Sequence, residues 1–220
     1  MNQKNKDIIA PKSTKDTILE KSLEMINDGG MMDFRIDVLA LSLNLSPGNI
    51  TYHFAKKEDI SSLLWQKFIE ELEGIKSCIS NILDIKQTYL IFREYSSIVY
   101  KIRGLAMFVG SDSRVLRDKR YTKTNFYTLS YELLKNITEL LYLNGYLYYG
   151  AKENDLVSQS LIMRWSINKS AISQSVEKLP VNQIINQNAL LMLFAFYNQM
   201  NDVAKAEFDY ILKRVGEKDI

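Results

Sequence analysis

Proline is the residue that most constrains this chain, because it is almost missing: three prolines and nine glycines punctuate 220 residues. A fold of many short strands needs a turn every few residues, and Gly and Pro are the residues that make turns cheap. Long stretches rich in Leu, Ile, Lys, Glu and Met, unbroken by either, instead favour helices. The apolar share of 46% is ordinary for a globular core. The longest wholly apolar run, 189–197, falls well short of the roughly 20 residues that cross a bilayer, so no membrane partner is expected. The opening MNQKNKDIIAPKSTKD is polar and has no apolar stretch of the secretory kind, which gives a cytoplasmic expectation. The one cysteine, Cys78, has no Cys or His at metal-ligand spacing and is expected as a small half-buried side chain on a helix. With one histidine, no phosphate-binding glycine loop and no metal cluster, no common catalytic constellation can be assembled. The expectation is a protein without catalytic residues, metal or cofactor.

Residues 1–12 lack periodicity and read as an arm carrying Lys4, Lys6 and Lys12. Ser13, with Asp16 three residues on, has the pattern of a capping box, and Leu19, Leu23 and Ile26 continue as one apolar stripe until Asp28-Gly29-Gly30. Short helices fit 35–42 and 47–54, and a longer one opens at Ala55-Lys56-Lys57-Glu58-Asp59. Further helices fit 86–109, 113–144, 153–176, 183–199 and 201–215, with breaks marked by Asn144-Gly145, Gly150 and Pro180. The fold class expected is all-α: a three-helix helix-turn-helix domain over 1–62, then a larger helical bundle over 63–220.

The two short helices carry the functional signal. Ala40 is small enough for two helices to cross, and four positions later Asn44 tolerates the left-handed backbone that a tight turn demands. Leu39, Leu43, Leu45, Ile50 and Phe54 are spaced to wedge one helix on the other, and Ser46-Pro47 is a helix start in which proline loses nothing by lacking an amide proton. In such a unit the second helix enters the major groove, presenting Gly48, Asn49, Thr51, Tyr52 and His53 to DNA. Over residues 1–60, eight basic side chains face nine acidic ones. Phosphate binding must therefore rest on Arg35, Lys56 and Lys57, with the N-terminal arm as a further candidate, being focused on one face.

From Asn44 through Ile60 the sequence resembles the recognition-helix signature of TetR/AcrR transcriptional regulators, and the likeness covers roughly residues 14–62. The family's aromatic, histidine, phenylalanine and downstream lysine fall on Tyr52, His53, Phe54 and Lys57. The resemblance implies that Tyr52 and His53 contact bases or phosphates, that Lys57 binds phosphate, that Ser46 caps the recognition helix and that Phe54 is core. Thr51 stands where the family usually has a phosphate-binding tyrosine and offers a shorter hydroxyl. Phe34-Arg35 replaces a pair of threonines, so Arg35 supplies a charged phosphate contact instead.

The resemblance further implies a homodimer on double-stranded, palindromic operator DNA, released by a small-molecule effector, with repression commoner than activation. Leu161, Trp165, Ile172, Leu190, Phe194 and Tyr197 are candidates for the dimer interface. Tyr100, Met107, Phe108, Tyr127, Tyr131 and Met163 are candidates for a pocket that takes an apolar or aromatic effector. Seven basic residues from Lys101 to Lys123 read as a solvated helix face or loop, with a second DNA contact as the alternative. The competing reading is a helical interaction or scaffold protein that binds no DNA.

Overall fold

The computed structural model describes residues 13–108, 123–150 and 179–216. Nine α-helices are formed among them: α1 Thr14–Asp33, α2 Ile36–Ser42, α3 Pro47–His53, α4 Lys57–Cys78, α5 Ile85–Lys101, α6 Arg103–Phe108, α7 Lys123–Leu143, α8 Val181–Phe194 and α9 Asp202–Gly216. A 3₁₀ turn at Tyr197–Gln199 separates the last two. No strand occurs among the described residues; the nearest thing to one is an isolated antiparallel bridge between Leu147 and Met200. The helix expected over 153–176 lies outside the described residues.

The helix ends follow the local chemistry. Ser13 caps α1: its Oγ accepts the Asp16 amide at 3.2 Å and donates to the Asp16 carboxylate at 2.7 Å. At Gly30 the backbone turns to φ +79°, which breaks α1 where Asp28-Gly29-Gly30 suggested, although one further turn reaches Asp33 and buries Met31. α5 opens with a reciprocal cap, in which Asp84 accepts the Gln87 amide at 2.6 Å and Gln87 accepts the Asp84 amide at 3.0 Å.

The turn between α2 and α3 is the most sharply specified piece of the chain. Asn44 has φ +53° and is the only non-glycine at positive φ among the described residues. The Leu45 amide reaches back to the Ala40 carbonyl at 2.9 Å and the Asn44 amide to that of Leu41 at 3.2 Å. This double bond pattern is a Schellman motif, which satisfies carbonyls that the end of α2 would otherwise leave open. Gly145 repeats it after α7, with φ +76° and the Tyr146 amide on Leu141. Asn44→Ala should cost about 1 kcal/mol, because a Cβ without a local polar partner is disfavoured in this conformation. Asn44→Gly should melt within a degree or two of the unsubstituted chain, and a thermal melt monitored by circular dichroism compares the two.

One hydrophobic cluster joins both ends of the molecule, from Ile18 and Ile26 on α1 through Leu64, Trp65 and Phe68 on α4 to Phe208 and Ile211 on α9. α4 buries Ile60, Leu64, Trp65, Phe68 and Leu72 along one side. Its 22 residues make it about 33 Å long, and residues 62 and 63 fall inside it. The sequence suggested one helix over 86–109, whereas α5 ends at Lys101 and α6 restarts at Arg103, with Ile102 between them at φ −108° and ψ 19°. Cys78 is exposed at the end of α4 rather than half-buried; as the last helical residue it has no following turn to cover it.

Candidate nucleic-acid interface

α3 is a seven-residue helix held by its two ends. At the start, Ser46 Oγ accepts the Asn49 amide at 3.2 Å, with Pro47 in the first helical position. At the finish the Phe54 amide bonds the Ile50 carbonyl at 2.9 Å, and both side chains point inward, Ile50 fully buried and Phe54 4% exposed. Leu39 and Ala40 on α2 are buried, while Leu43 and Leu45 in the turn are partly buried against the same core. Packing these apolar side chains under so short a helix fixes which of its sides faces water.

That outer side carries Gly48, Asn49, Thr51 and Tyr52, all exposed, and Tyr52 is 86% so. His53 is half-buried, with its ring edge-on to Tyr52 at 5.2 Å and 80°. Thr51 returns its hydroxyl to the Gly48 carbonyl at 3.1 Å, which leaves the oxygen's lone pairs outward. Lys56 is exposed and Lys57 half-buried, and neither is in an ion pair among the described residues. Asp59 accepts the Lys56 amide at 3.1 Å and so spends its carboxylate on the start of α4 rather than on a lysine. The structure thus gathers Ser46, Gly48, Asn49, Thr51, Tyr52, His53, Lys56 and Lys57 on one short stretch.

Arg35 stands at the N-cap of α2, exposed, and is chelated by Asp37: Nε donates to Oδ1 at 3.1 Å and Nη2 to Oδ2 at 2.5 Å. The guanidinium beside Asp37 holds its carboxyl below the usual carboxylate range. Asp37 therefore stays ionised and competes with any phosphate for Arg35. Asp37→Asn should release the guanidinium, raise DNA affinity a few-fold and steepen its salt dependence. Titrations at two salt concentrations test this, and an unchanged slope would count against a phosphate role for Arg35.

No family model matches the chain, and no curated protein matches it. Solved structures do. A TetR-family transcriptional regulator from Marinobacter aquaeolei VT8 superposes with a TM-score of 0.72 at 20% identity, covering 93% of this chain and 99% of that one. A gamma-butyrolactone receptor, described as an ArpA-like protein, gives 0.65 at 11% identity over 94% and 97% of the two chains. AmtR of Mycobacterium smegmatis gives 0.55 at 13% identity over 95% of each. The chain has the TetR-type fold. In it, α1–α3 with the start of α4 form the helix-turn-helix unit, and α5–α9 the helical body.

The body of this TetR-type chain receives the remaining candidates. Tyr100 is half-buried near the end of α5, with the Arg103 guanidinium 4.7 Å from its ring centre, and Tyr131 is 43% exposed on α7. Met107 and Phe108 belong to α6 and Tyr127 to α7, whereas Met163 lies outside the described residues. Of the interface candidates, Leu190 is half-buried on α8 and Phe194 is 51% exposed at its end. Phe194 stacks on Tyr197 at 5.6 Å, and both rings meet Phe208 of α9. Leu161, Trp165 and Ile172 lie outside the described residues.

Two open surface grooves among the described residues are lined by none of these candidates. One, of about 660 Å³, lies between the start of α5 and α9 and is lined by Asp84, Val203, Glu207, Tyr210 and Ile211. Burial and then the neighbouring Asp84 charge push the Glu207 carboxyl up. The other, of about 480 Å³, lies between α4 and α5 beside Cys78 and Ile91. Sequence reasoning also passed over Asn27, whose amide bridges the break between α5 and α6. Its Nδ2 donates to the Lys101 carbonyl at 2.7 Å and its Oδ1 accepts the Gly104 amide at 2.8 Å. An asparagine late in a helix is the only hint the sequence offered. Among the described residues there is no cluster suited to a metal, and no helix is long and apolar enough to cross a membrane.

Proposed function

We propose that this chain is a DNA-binding transcriptional regulator that acts in the cytoplasm as a homodimer on a palindromic operator and represses until an effector binds its helical body. The observation that carries the reading is the exposure of Tyr52 on a capped, wedged recognition helix, in a fold shared with TetR-family regulators. Ser46 shapes the entry to the helix, Tyr52 and His53 touch bases or phosphates, and Lys56 and Lys57 hold the backbone on either side. A two-fold operator matches a two-fold protein, with half-sites one helical turn or a multiple apart. α4 starts beside the recognition helix and ends in the body, so a ligand that favours one placement of α4 would alter the spacing of the two recognition helices. Nothing in this mechanism calls for bond-making chemistry, and the protein is read as a binding protein rather than an enzyme.

The test is a mobility shift with palindromic fragments from beside the protein's own gene. About four cationic contacts per dimer, from Lys56 and Lys57 of each subunit while Asp37 occupies Arg35, should weaken binding roughly 10²-fold between 50 and 200 mM salt. A helical scaffold would shift none of these fragments, and a shift insensitive to salt would be equally fatal to the reading.

A further inference from the structure

Tyr89 is 1% exposed in the middle of the core, yet among the described residues its hydroxyl has no hydrogen-bond partner. One helical turn further along α5, Arg93 is half-buried, and its Nε is buried without a partner as well. Buried polar atoms are nearly always paired, so two adjacent exceptions on one helix call for a reason. The other buried polar side chains of α5 are satisfied: Thr88 donates to the Asp84 carbonyl at 2.7 Å, Tyr95 to Ser130 at 3.2 Å and Ser96 to the Met192 sulfur at 3.9 Å. A third unpartnered atom, Asn186 Oδ1, is remote from this pair. Phe92 stacks on Phe196 and Ser96 meets Met192, so α5 and α8 run antiparallel and Asn186 lies opposite Ile102, roughly 13 Å along the axis from Arg93.

The chemistry of the pair is one-sided. A phenol hydroxyl and the Nε–H of a guanidinium both donate, and neither meets an acceptor among the described residues. Burial pushes the Tyr89 hydroxyl up and the Arg93 charge only partly offsets it, so the phenol keeps its proton at neutral pH. Residues four apart on a helix stand about 5–6 Å from one another, a span that one carboxylate can bridge with its two oxygens. One cation in an apolar setting balances one negative charge; a doubly charged phosphate would stay half-compensated at a heavy desolvation cost. Phe92, between the two in sequence, stacks on Phe196 and makes the surroundings of the pair apolar.

We propose that Tyr89 and Arg93 hold the carboxylate of a small molecule with an apolar body. Naming that molecule the effector rests on the regulator reading above; the site itself does not. The full-length chain is melted with three probes that share one body and differ in head group: 4-phenylbutyrate, 4-phenylbutanol and 4-phenylbutylamine. The acid at saturating concentration should raise Tm by several degrees, and the alcohol and the amine should not. Tyr89→Phe should act in two opposite directions: without ligand it raises Tm by roughly 2–4 °C, because an unsatisfied buried hydroxyl is gone, and it weakens the acid at least tenfold. Arg93→Met should abolish the response to the acid.

A tyrosine with only a packing role would leave the response to the acid intact in the phenylalanine variant. Equal shifts from acid and alcohol, no shift from any of the three, or undiminished affinity in Tyr89→Phe would each overturn the site. So would a lower Tm for Tyr89→Phe without ligand, since that would mean the hydroxyl is paired. Should Arg93→Met fail to fold, the phenylalanine variant decides alone. The two readings fail separately: an operator shift with no response to the acid sinks this site only, and a response to the acid with no operator shift sinks the regulator only.

Discussion

Replacing both Tyr52 and His53 by alanine should lower operator affinity roughly 10³-fold while Tm moves by no more than about 2 °C. The asymmetry follows from where the two rings sit. Tyr52 is 86% exposed, and among the described residues its one ring contact is with the half-buried His53 rather than with a core side chain. Ile50 and Phe54, which support the core, are untouched, as are the Ser46 cap and the Asn44 turn. Surface substitutions of this kind usually shift stability by less than about 0.5 kcal/mol. On the proposed dimer two contacts are lost in each of two subunits, and at about 1 kcal/mol apiece, the low end for base recognition, they amount to the stated loss. Fluorescence anisotropy with a labelled operator and a parallel thermal melt measure both quantities, and a folded double variant with undiminished affinity would remove α3 from the interface.

Gly104→Ala should be the most destabilising single-methyl change in the described part of the chain. A Cβ at this position would lie 2.0 Å from the Ile26 carbonyl oxygen and 2.7 Å from Asn27 Cα. Those are backbone atoms of α1, which cannot swing away as the tip of a side chain can. α6 would have to back off from α1, taking the Asn27 bond to the Gly104 amide with it. Overpacking of this order costs about 3 kcal/mol, or roughly 6–12 °C in Tm for a chain of this size. Asn27→Ala should cost about 1–3 kcal/mol by stranding the Gly104 amide and the Lys101 carbonyl. The two effects should combine to less than their sum, since both open the same joint. A melt of Gly104→Ala within a degree of the unsubstituted chain would show that α1 and α6 do not meet so closely.

The parts of this structure that the sequence revealed are the parts made by neighbours in the chain. Ser13 and Ser46 cap amides three residues away, Asn44 turns the backbone where it stands, and Gly145 ends α7 one residue beyond its cap. Each is a local solution to an open helix end and is written in a few consecutive letters. The break between α5 and α6 was missed for the opposite reason: its cap comes from Asn27, 77 residues from Gly104. The Arg35–Asp37 chelate is short in sequence, yet a helix start with one charge of each sign does not say whether they pair with each other or with a ligand. Aromatic content could not single out Tyr89 from the other tyrosines, because what distinguishes it is the bond it fails to make. Leu190 and Phe194 share one apolar helix, and only packing separates the half-buried side chain from the half-exposed one.

The 22 residues of α4 have a practical bearing on how the molecule can be taken apart. A cut after residue 62, where the recognition unit would seem to finish, severs this helix in its second turn and takes away Leu64, Trp65 and Phe68, which belong to the same cluster as Ile18 and Ile26. The amputated N-terminal piece would keep its loops and caps but lose the beam they lean on. The helix-turn-helix unit is not a detachable head but the near end of a strut whose far end is planted in the body.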